Sequence, residues 1–358
     1  DQNTMAKKII ILGAGLSGLL TAYYLQNKGF DIEIVEARDR IGGRIHTIKD
    51  TNTQIEMGAT WFNEAHTNFR NLLSEFNLDY YEQFMTGTSF FEPFSAAPPQ
   101  EIDIPQNSPS YRITGGTSQL IDRILNKLIG ITTHLNEAVT NINFENNIIK
   151  VTTTNTILET DYVISTLPQA LFTHDITVAP SLPIELQDLA KKTHTWMQDA
   201  IKVAFVYDTA FWRNKNISGT LFSNVGPVTE FYDQSNEALT TFALCGFISS
   251  GMEMYTKEER LIKLKTQLEK VFGQEALQFT SYHETVWSKE EFTKSAKQIG
   301  FMYPHQNNGH LLFRKNYCDN RLLFAGTETA QQHPGYMEGA VVAAQRVANE
   351  ILKLENKL

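Results

Sequence analysis

Lys7-Lys-Ile-Ile-Ile-Leu-Gly13-Ala-Gly15-Leu-Ser17-Gly18, with the Asp31-Ile-Glu-Ile-Val-Glu36 that follows, decides the fold. Residues 7–12 read as a buried strand, 16–28 as a helix and 31–36 as a second strand. The glycines fall where the first strand turns into the helix. Gly13 allows the tight turn, Gly15 lets backbone approach a pyrophosphate, and Gly18 allows close packing of helix on strand. Glu36 closes the second strand 18 residues after Gly18, where a carboxylate accepts hydrogen bonds from a ribose. A bare glycine turn would need neither the helix nor the acid. The unit therefore reads as a βαβ start to a dinucleotide-binding fold.

Outward from this unit, residues 67–76 have helical spacing of apolar side chains. Residues 79–111 are aromatic, contain proline and serine, show no clear period and read as a loop-rich excursion. Gly115-Gly116 opens a helix to about residue 128. Across 131–164, short Thr-, Ile- and Val-rich runs split by asparagines predict a small antiparallel sheet. It ends in Tyr162-Val-Ile-Ser-Thr-Leu-Pro168, a strand entering a turn. Residues 199–207, 238–248 and 321–325 read as strands, and 257–272 and 340–352 as helices. No internal repeat is present. Strand–helix units at both ends and a sheet-rich middle predict a mixed α/β fold. Its Rossmann-like nucleotide domain comes from discontinuous residues 1–78, 112–190 and 298–358, and a smaller sheet-containing substrate domain from 79–111 and 191–297.

Composition narrows the function. The chain has 358 residues, 42% of them hydrophobic and 20% charged, as in an ordinary globular protein. A net charge of −9 with interspersed signs argues against a nucleic-acid or anionic-membrane partner. Cys245 and Cys318 are the only cysteines and form no Cys-x-x-Cys pattern. Neither a disulfide framework nor a zinc site is expected, and a reducing, cytoplasmic location follows. Lys7-Lys8 before an apolar run resembles a signal peptide, but the strand reading also accounts for Glu36. Asp1 to Thr4 precede Met5 and read as an appended remnant. Asn216-Ile-Ser218 matches a glycosylation acceptor by chance composition, and no apolar run is long enough to span a bilayer. His305 and His310 lack metal-ligand spacing, no metal is expected, and no serine or cysteine triad can be assembled.

Two further segments specify the cofactor. Glu36 continues as Ala37-Arg38-Asp-Arg40-Ile-Gly42-Gly43-Arg44, a second glycine turn with a guanidinium for phosphate oxygens. Near the other end, Gly326-Thr327-Glu328-Thr-Ala-Gln-Gln-His-Pro-Gly335-Tyr336-Met337-Glu338-Gly339-Ala340 leads into the last helix, whose N-terminus favours negative charge. With Glu56-Met-Gly58-Ala59-Thr60-Trp61, Gly115-Gly116, Val163 to Pro168, Lys202 and Trp287, the chain resembles the flavin-containing amine oxidase family over nearly its whole length.

The resemblance implies FAD, and the absence of the flavin-linking cysteine near Gln298-Ile299 makes it non-covalent. Gly13, Gly18 and Gly42 belong to the turns. Gly15, Ser17, Gly43 and Arg44 would contact phosphates, and Glu36, Ala37 and Arg38 the adenosine side, with Val139 at the adenine. Gly58, Ala59, Thr60 and Trp61 would lie along the isoalloxazine, with Trp287 beside it. Gly326, Thr327 and Glu328 would meet the phosphate–ribityl chain, and Met337 the pyrimidine edge. Lys202 would be bridged through water to flavin N5, and Tyr336 would form one wall of an aromatic cage. The expected activity is amine oxidation: hydride passes from the amine α-carbon to N5, giving an imine, and oxygen becomes hydrogen peroxide.

Read from residues alone, Lys202 stands in an apolar strand. Alternation places Ile201, Val203, Phe205 and Tyr207 on one face and Lys202, Ala204 and Val206 on the other. A buried ammonium needs a partner or a lowered pKa, whereas an edge-strand lysine would only discourage aggregation. Two departures from the family pattern concern the substrate side. The second cage wall aligns near Gln298-Ile299, with neither cysteine nor tyrosine, unless Phe301 or Tyr303 substitutes. The helical lid is reduced to about residues 79–111, leaving a site that is open or roofed by Phe90, Phe91 and Phe94 or by another chain. His333 reads as structural, and only Arg112 suggests itself as a carboxylate-binding arginine. Competing readings are a carbon–carbon desaturase or porphyrinogen-type oxidase, and a flavoprotein that mainly binds a partner. The oligomeric state is not legible.

Overall fold

The computed structural model describes residues 5–50 and 52–358, so Asp1 to Thr4 lie outside the described residues. Strand β1 (Lys7–Leu12) is an unbroken apolar run because both faces are covered. Ile9 and Ile11 enter one core, Ile10 and Leu12 another. It turns at Gly13, where φ is +102° and a Cβ would strike the Thr166 side chain, into α1 (Leu16–Leu25). The chain returns as β2 (Phe30–Val35), parallel to β1 with Leu12 opposite Val35. The antiparallel pair β3 (Thr47–Asp50) and β4 (Thr53–Glu56) then leads to α2 (Thr67–Glu75).

The loop-rich excursion expected at 79–111 is instead threaded with strand. β5 (Tyr80–Glu82) pairs with β8 (Tyr111–Ile113), while β6 (Thr88–Glu92) and β7 (Gln100–Ile102) extend a large sheet. Phe90 is buried there in the core, Phe91 is part-buried, and Phe94 is exposed. Helix α3 (Ser118–Lys127) follows the glycine pair.

The region 131–164 also differs from the single antiparallel sheet expected. β9 (Thr132–His134) pairs in parallel with β2. Only β10 (Val139–Asn143), β11 (Ile149–Thr153) and β12 (Ile157–Thr160) are antiparallel neighbours. β13 (Tyr162–Ser165) is parallel to β1 and buried throughout, which composition alone does not separate from the hairpin strands before it. After α4 (Gln169–Asp175), β14 (Thr177–Ala179) closes the small sheet, and α5 (Ile184–Lys191) follows.

β15 (Ile201–Tyr207), the short α6 (Phe211–Asn214), β16 (Ile217–Ser223), β17 (Val228–Asp233) and β18 (Phe242–Ile248) build the large sheet. Helix α7 (Lys257–Phe272), started by a Thr256–Glu259 capping box, covers one face and leads to β19 (Ser281–Val286). The order is β19-β15-β18-β17-β16-β6-β7. Ile201, Val203 and Phe205 pack toward Leu264 and Leu268 of α7. Ala204 and Val206 face Ile55 and Met57 on the other side. β20 (Leu322–Phe324) completes the parallel sheet, ordered β20-β13-β1-β2-β9. Helix α8 (Met337–Leu354) buries Val341, Ala344, Val347 and Ile351 in the core it shares with α1. The result is an α/β fold with a Rossmann-like parallel sheet gathered from discontinuous segments. No described helix is long and apolar enough to cross a membrane.

Candidate active site

A cavity of about 480 Å³ takes its walls from both large sheets, and two helix N-termini open on it. Gly15, Leu16 and Ser17 bring the start of α1, whose N-cap glycine offers no side chain. Tyr336, Met337 and Ala340 bring the start of α8, again without a side-chain cap. First-turn N–H groups have no intrahelical acceptor, so both ends favour an anion or an electron-rich edge. Glu338, in the first turn of α8, does not quench that end. It accepts from the backbone N–H of Asn68 at 2.9 Å and of Phe69 at 2.6 Å, and so caps α2 instead.

The second glycine turn is tied to the first: the Gly42 N–H donates to the Ala14 carbonyl at 2.9 Å, and Gly42 and Gly43 both have positive φ. Gly13, Gly15, Ser17, Gly42, Gly43 and Arg44 line the cavity. Gly18 does not, because its Cα hydrogens face the Gly13 carbonyl, which a Cβ would overlap. One oxygen of buried Glu36 accepts from Ala14 N–H at 2.7 Å and the other from Arg38 N–H at 3.0 Å. That leaves lone pairs on both oxygens facing the cavity wall shared with Ala37, Arg38, Ala138 and Val139. Arg38 donates from Nη2 to Thr293 Oγ1 at 2.7 Å, while its buried Nε has no hydrogen-bond acceptor and only a long ion pair to Glu290 Oε2 at 3.9 Å. Burial pulls this guanidinium below its usual range. Arg44 forms a fork with Glu328, Nη2 to Oε2 at 3.1 Å. Glu328 and Gly326 therefore stand behind the lining, while Thr327 is part of it.

At the opposite end Gly58, Ala59, Thr60 and Trp61 form one wall. Lys202 lies just behind it and is fully buried. Its Nζ donates to the Gly58 carbonyl at 2.8 Å and to Thr60 Oγ1 at 2.6 Å, and sits 4.9 Å from the Trp61 ring centroid. β15 lies between β19 and β18, so the edge-strand explanation of this lysine does not apply. Burial pushes its pKa down, while the two oxygens and the Trp61 and Phe247 rings hold the cation in place. Trp287 is buried behind the same wall, where its Nε1 donates to the Met57 carbonyl at 2.7 Å. Trp61 is fixed from the other side by Gln83, whose Oε1 accepts from its indole N–H at 2.8 Å.

Tyr336 is 43% exposed at the cavity mouth. His305 stacks on it at 5.1 Å and 17°, and His66 and His333 approach its edges. Neither Phe301 nor Tyr303 reaches the cavity; they pack on each other at 5.1 Å and are 78% and 70% exposed. Trp196 is a further aromatic that lines the cavity. No residue of 79–111 lines it, so Phe90, Phe91 and Phe94 do not roof the site. Arg112 is buried elsewhere, donating to the carbonyls of Asp233, Gln234 and Ser235, and is not available to a substrate carboxylate.

Among the lining residues, sequence reading missed Trp196, Glu230, Phe247 and Thr293. Phe247 was within reach, because alternation along 242–248 puts it on the face opposite Leu244 and Ile248. Glu230 was not, because a register shift interrupts the alternation of its strand.

Comparison with known proteins agrees with this geometry. The family model described as flavin containing amine oxidoreductase matches residues 16–95 and 90–352. Amine oxidase [flavin-containing] B of Mus musculus is 27% identical, with 98% of this chain and 87% of that protein aligned. The form A enzyme of Sus scrofa is 26% identical over 98% of this chain and 86% of its own length. The mouse alignment extends over 461 positions, more than the 358 residues here, so that relative carries inserted segments that this chain lacks. The fold is shared with putrescine oxidase bound to putrescine: TM-score 0.83, 21% identity, 97% of this chain and 99% of that one. It is shared too with cyclohexylamine oxidase from Brevibacterium oxydans IH-35A: TM-score 0.84, 20% identity, 98% and 100%.

Proposed function

This chain belongs to the flavin-containing amine oxidoreductase family, and from that premise we propose that it oxidises a small amine using FAD held without a covalent bond. The donor set fits that cofactor. Two uncapped helix N-termini, the paired Gly42-Gly43 turn and Arg38, whose Nε lacks a hydrogen-bond acceptor, all face or border the cavity. Glu36 and Arg38 would hold the adenosine side, Gly15, Ser17, Gly43 and Arg44 the diphosphate, and Thr327, Met337 and Gly58 to Trp61 the ring system. Neither cysteine lines the cavity, which supports a non-covalent cofactor. Both thiols are free, which supports a cytoplasmic location.

When bound, the flavin supplies hydride acceptance from the amine α-carbon and reoxidation by oxygen, with an imine and hydrogen peroxide as products. The protein contributes geometry and field. The N-terminus of α8 directs positive potential into the cavity beside Met337, where it would stabilise negative charge on a bound ring. Tyr336 offers a ring face that orients an amine at the mouth. Lys202, pushed toward its neutral form by burial, can hold or pass a proton at Nζ behind Thr60. Tyr336 is 43% exposed, so water reaches this end of the site.

The observation that carries this reading is Lys202, fully buried yet hydrogen-bonded directly to the Gly58–Thr60 wall. The purified protein should be yellow, release FAD on denaturation and form peroxide with an amine. Lys202→Met should keep the flavin and slow turnover or reoxidation by about a hundredfold, within the range of general acid–base effects. A colourless protein, or a Lys202→Met enzyme with unchanged kinetics, would contradict it.

A further inference from the structure

Strand β17 pairs with β18 through a bulge: Val228 is opposite Ile248, yet Glu230 rather than Thr229 is opposite Phe247. The extra residue reverses the side on which the next side chain emerges. Val228 packs in the core under α7; without the bulge Glu230 would share that face. With it, Glu230 turns to the cavity, and Phe231 returns to the core in its place. The pairing continues sideways. Lys202 of β15 is opposite Phe247 of β18, and Phe247 is opposite Glu230 of β17. Lysine, phenylalanine and glutamate thus form one row on one face, with about 10 Å between the outer Cα atoms from two strand spacings.

The surroundings of Glu230 are apolar. Phe247 lies between it and Lys202, Phe222 is its neighbour on β16, and Trp61 and Tyr232 pack edge to face at 5.1 Å nearby. No described cation forms an ion pair with it. Burial pushes its carboxyl pKa up, against a hydrogen bond from Tyr232 and the charge of Lys202. A carboxylate in an apolar wall is costly unless a cation meets it.

We propose that Glu230 is the subsite for a second ammonium group, and that this chain selects diamines over monoamines of equal length. The proposal rests on the amine-oxidase reading above and adds the substrate class. The amine that gives up hydride must be neutral, so a carboxylate is misplaced at the reacting nitrogen. It belongs at the far end of the substrate, and the row puts it two strands from Lys202. The carbon chain between the two nitrogens would lie along Phe247 and Trp61. Bound ammonium at Glu230 also disfavours a second positive charge nearby, which helps keep the reacting nitrogen neutral.

The test compares the flavin-loaded enzyme on α,ω-diamines and on n-alkylamines of matched length, for wild type, Glu230→Gln and Glu230→Leu. In wild type the diamine should lead in kcat/KM by roughly ten- to a hundredfold, the range of one charge-assisted hydrogen bond. In Glu230→Leu the lead should vanish, through a diamine KM that rises far more than the monoamine KM. Glu230→Gln, close in size, should show the same loss and guards against a folding defect in the leucine variant. Equal use of both series by wild type, or a preference that survives in both variants, would overturn the proposal. If no amine of either series bleaches the flavin, the oxidase reading fails by itself. The diamine Kd, read from the shift of the flavin band, then decides the subsite: a tenfold weakening in Glu230→Gln supports it, and no change overturns it.

Discussion

In the proposed reading, the working groups at the phosphate end of the cavity would be mostly backbone: first-turn N–H groups of α1 and the turn at Gly42-Gly43. At the amine end they would be side chains: Lys202, Phe247 and Glu230, from three strands that meet only in the folded sheet. The first end depends on backbone shape and fails where a Cβ intrudes. The second depends on single functional groups and fails one substitution at a time. Chemistry can thus be lost at the amine end while the cofactor stays bound, whereas damage at the phosphate end removes both.

The largest effect should come from Gly18→Val. Its side chain would collide with the Gly13 carbonyl and prise α1 from β1. Overpacking costs about 1–3 kcal/mol even where neighbours can yield, and here the neighbour is backbone. The variant should purify without flavin, with no amine-dependent peroxide. Retention of stoichiometric FAD would break the comparison at its stronger end.

Next is Glu328→Ala, which leaves the Arg44 guanidinium without its carboxylate. Breaking a buried pair costs about 3–5 kcal/mol, and the 16% exposure of Arg44 moves the expectation to the lower part of that range. Thermal unfolding with and without added FAD should show a lower midpoint and weaker FAD rescue. An unchanged midpoint would detach this pair from the phosphate end.

The contrast also explains what the sequence made legible. Turns that bind through backbone are encoded in contiguous stretches, so Gly13 to Gly18, Glu36 and Gly42 to Arg44 could be read directly, and the strand of residues 7–12 with them. Helix α7 was legible from its apolar period, and the structure adds the capping box that starts it. The amine end was legible only at Lys202, where one charge interrupts an apolar run. Glu230 was hidden by the bulge that makes it useful. The strands within 79–111 were hidden because each is three to five residues long and borrows its burial from neighbours distant in sequence. β9 and β13 look like the hairpin strands between them, since partner choice is not written in a short Thr/Ile/Val run.

Smaller effects belong to the edges of the site. Tyr336→Ala, at a residue 43% exposed, should change stability by only about 0.5 kcal/mol. It should lower kcat/KM for amines by several-fold, and an unchanged value would remove the ring from the substrate path. His46, near Arg38 and Arg40, has its pKa lowered to about 4 by burial first and by those cations second. The unfolded chain takes up this proton at higher pH than the folded one. Stability from this group is therefore present above pH 6.5 and is lost as pH falls toward about 4. His46→Gln should flatten the dependence of the thermal midpoint over that window, and an identical slope would assign the acid sensitivity to other groups.

The most direct test of the division between a cofactor end and an amine end is anaerobic titration of the purified yellow protein with a diamine, for wild type and Lys202→Met. The account predicts that the wild-type flavin band bleaches and returns on admission of air with stoichiometric hydrogen peroxide. The variant should keep its FAD and show slowed bleaching or recovery. A flavin band that no amine alters in the wild-type protein, or a Lys202→Met protein that loses its FAD, would contradict it.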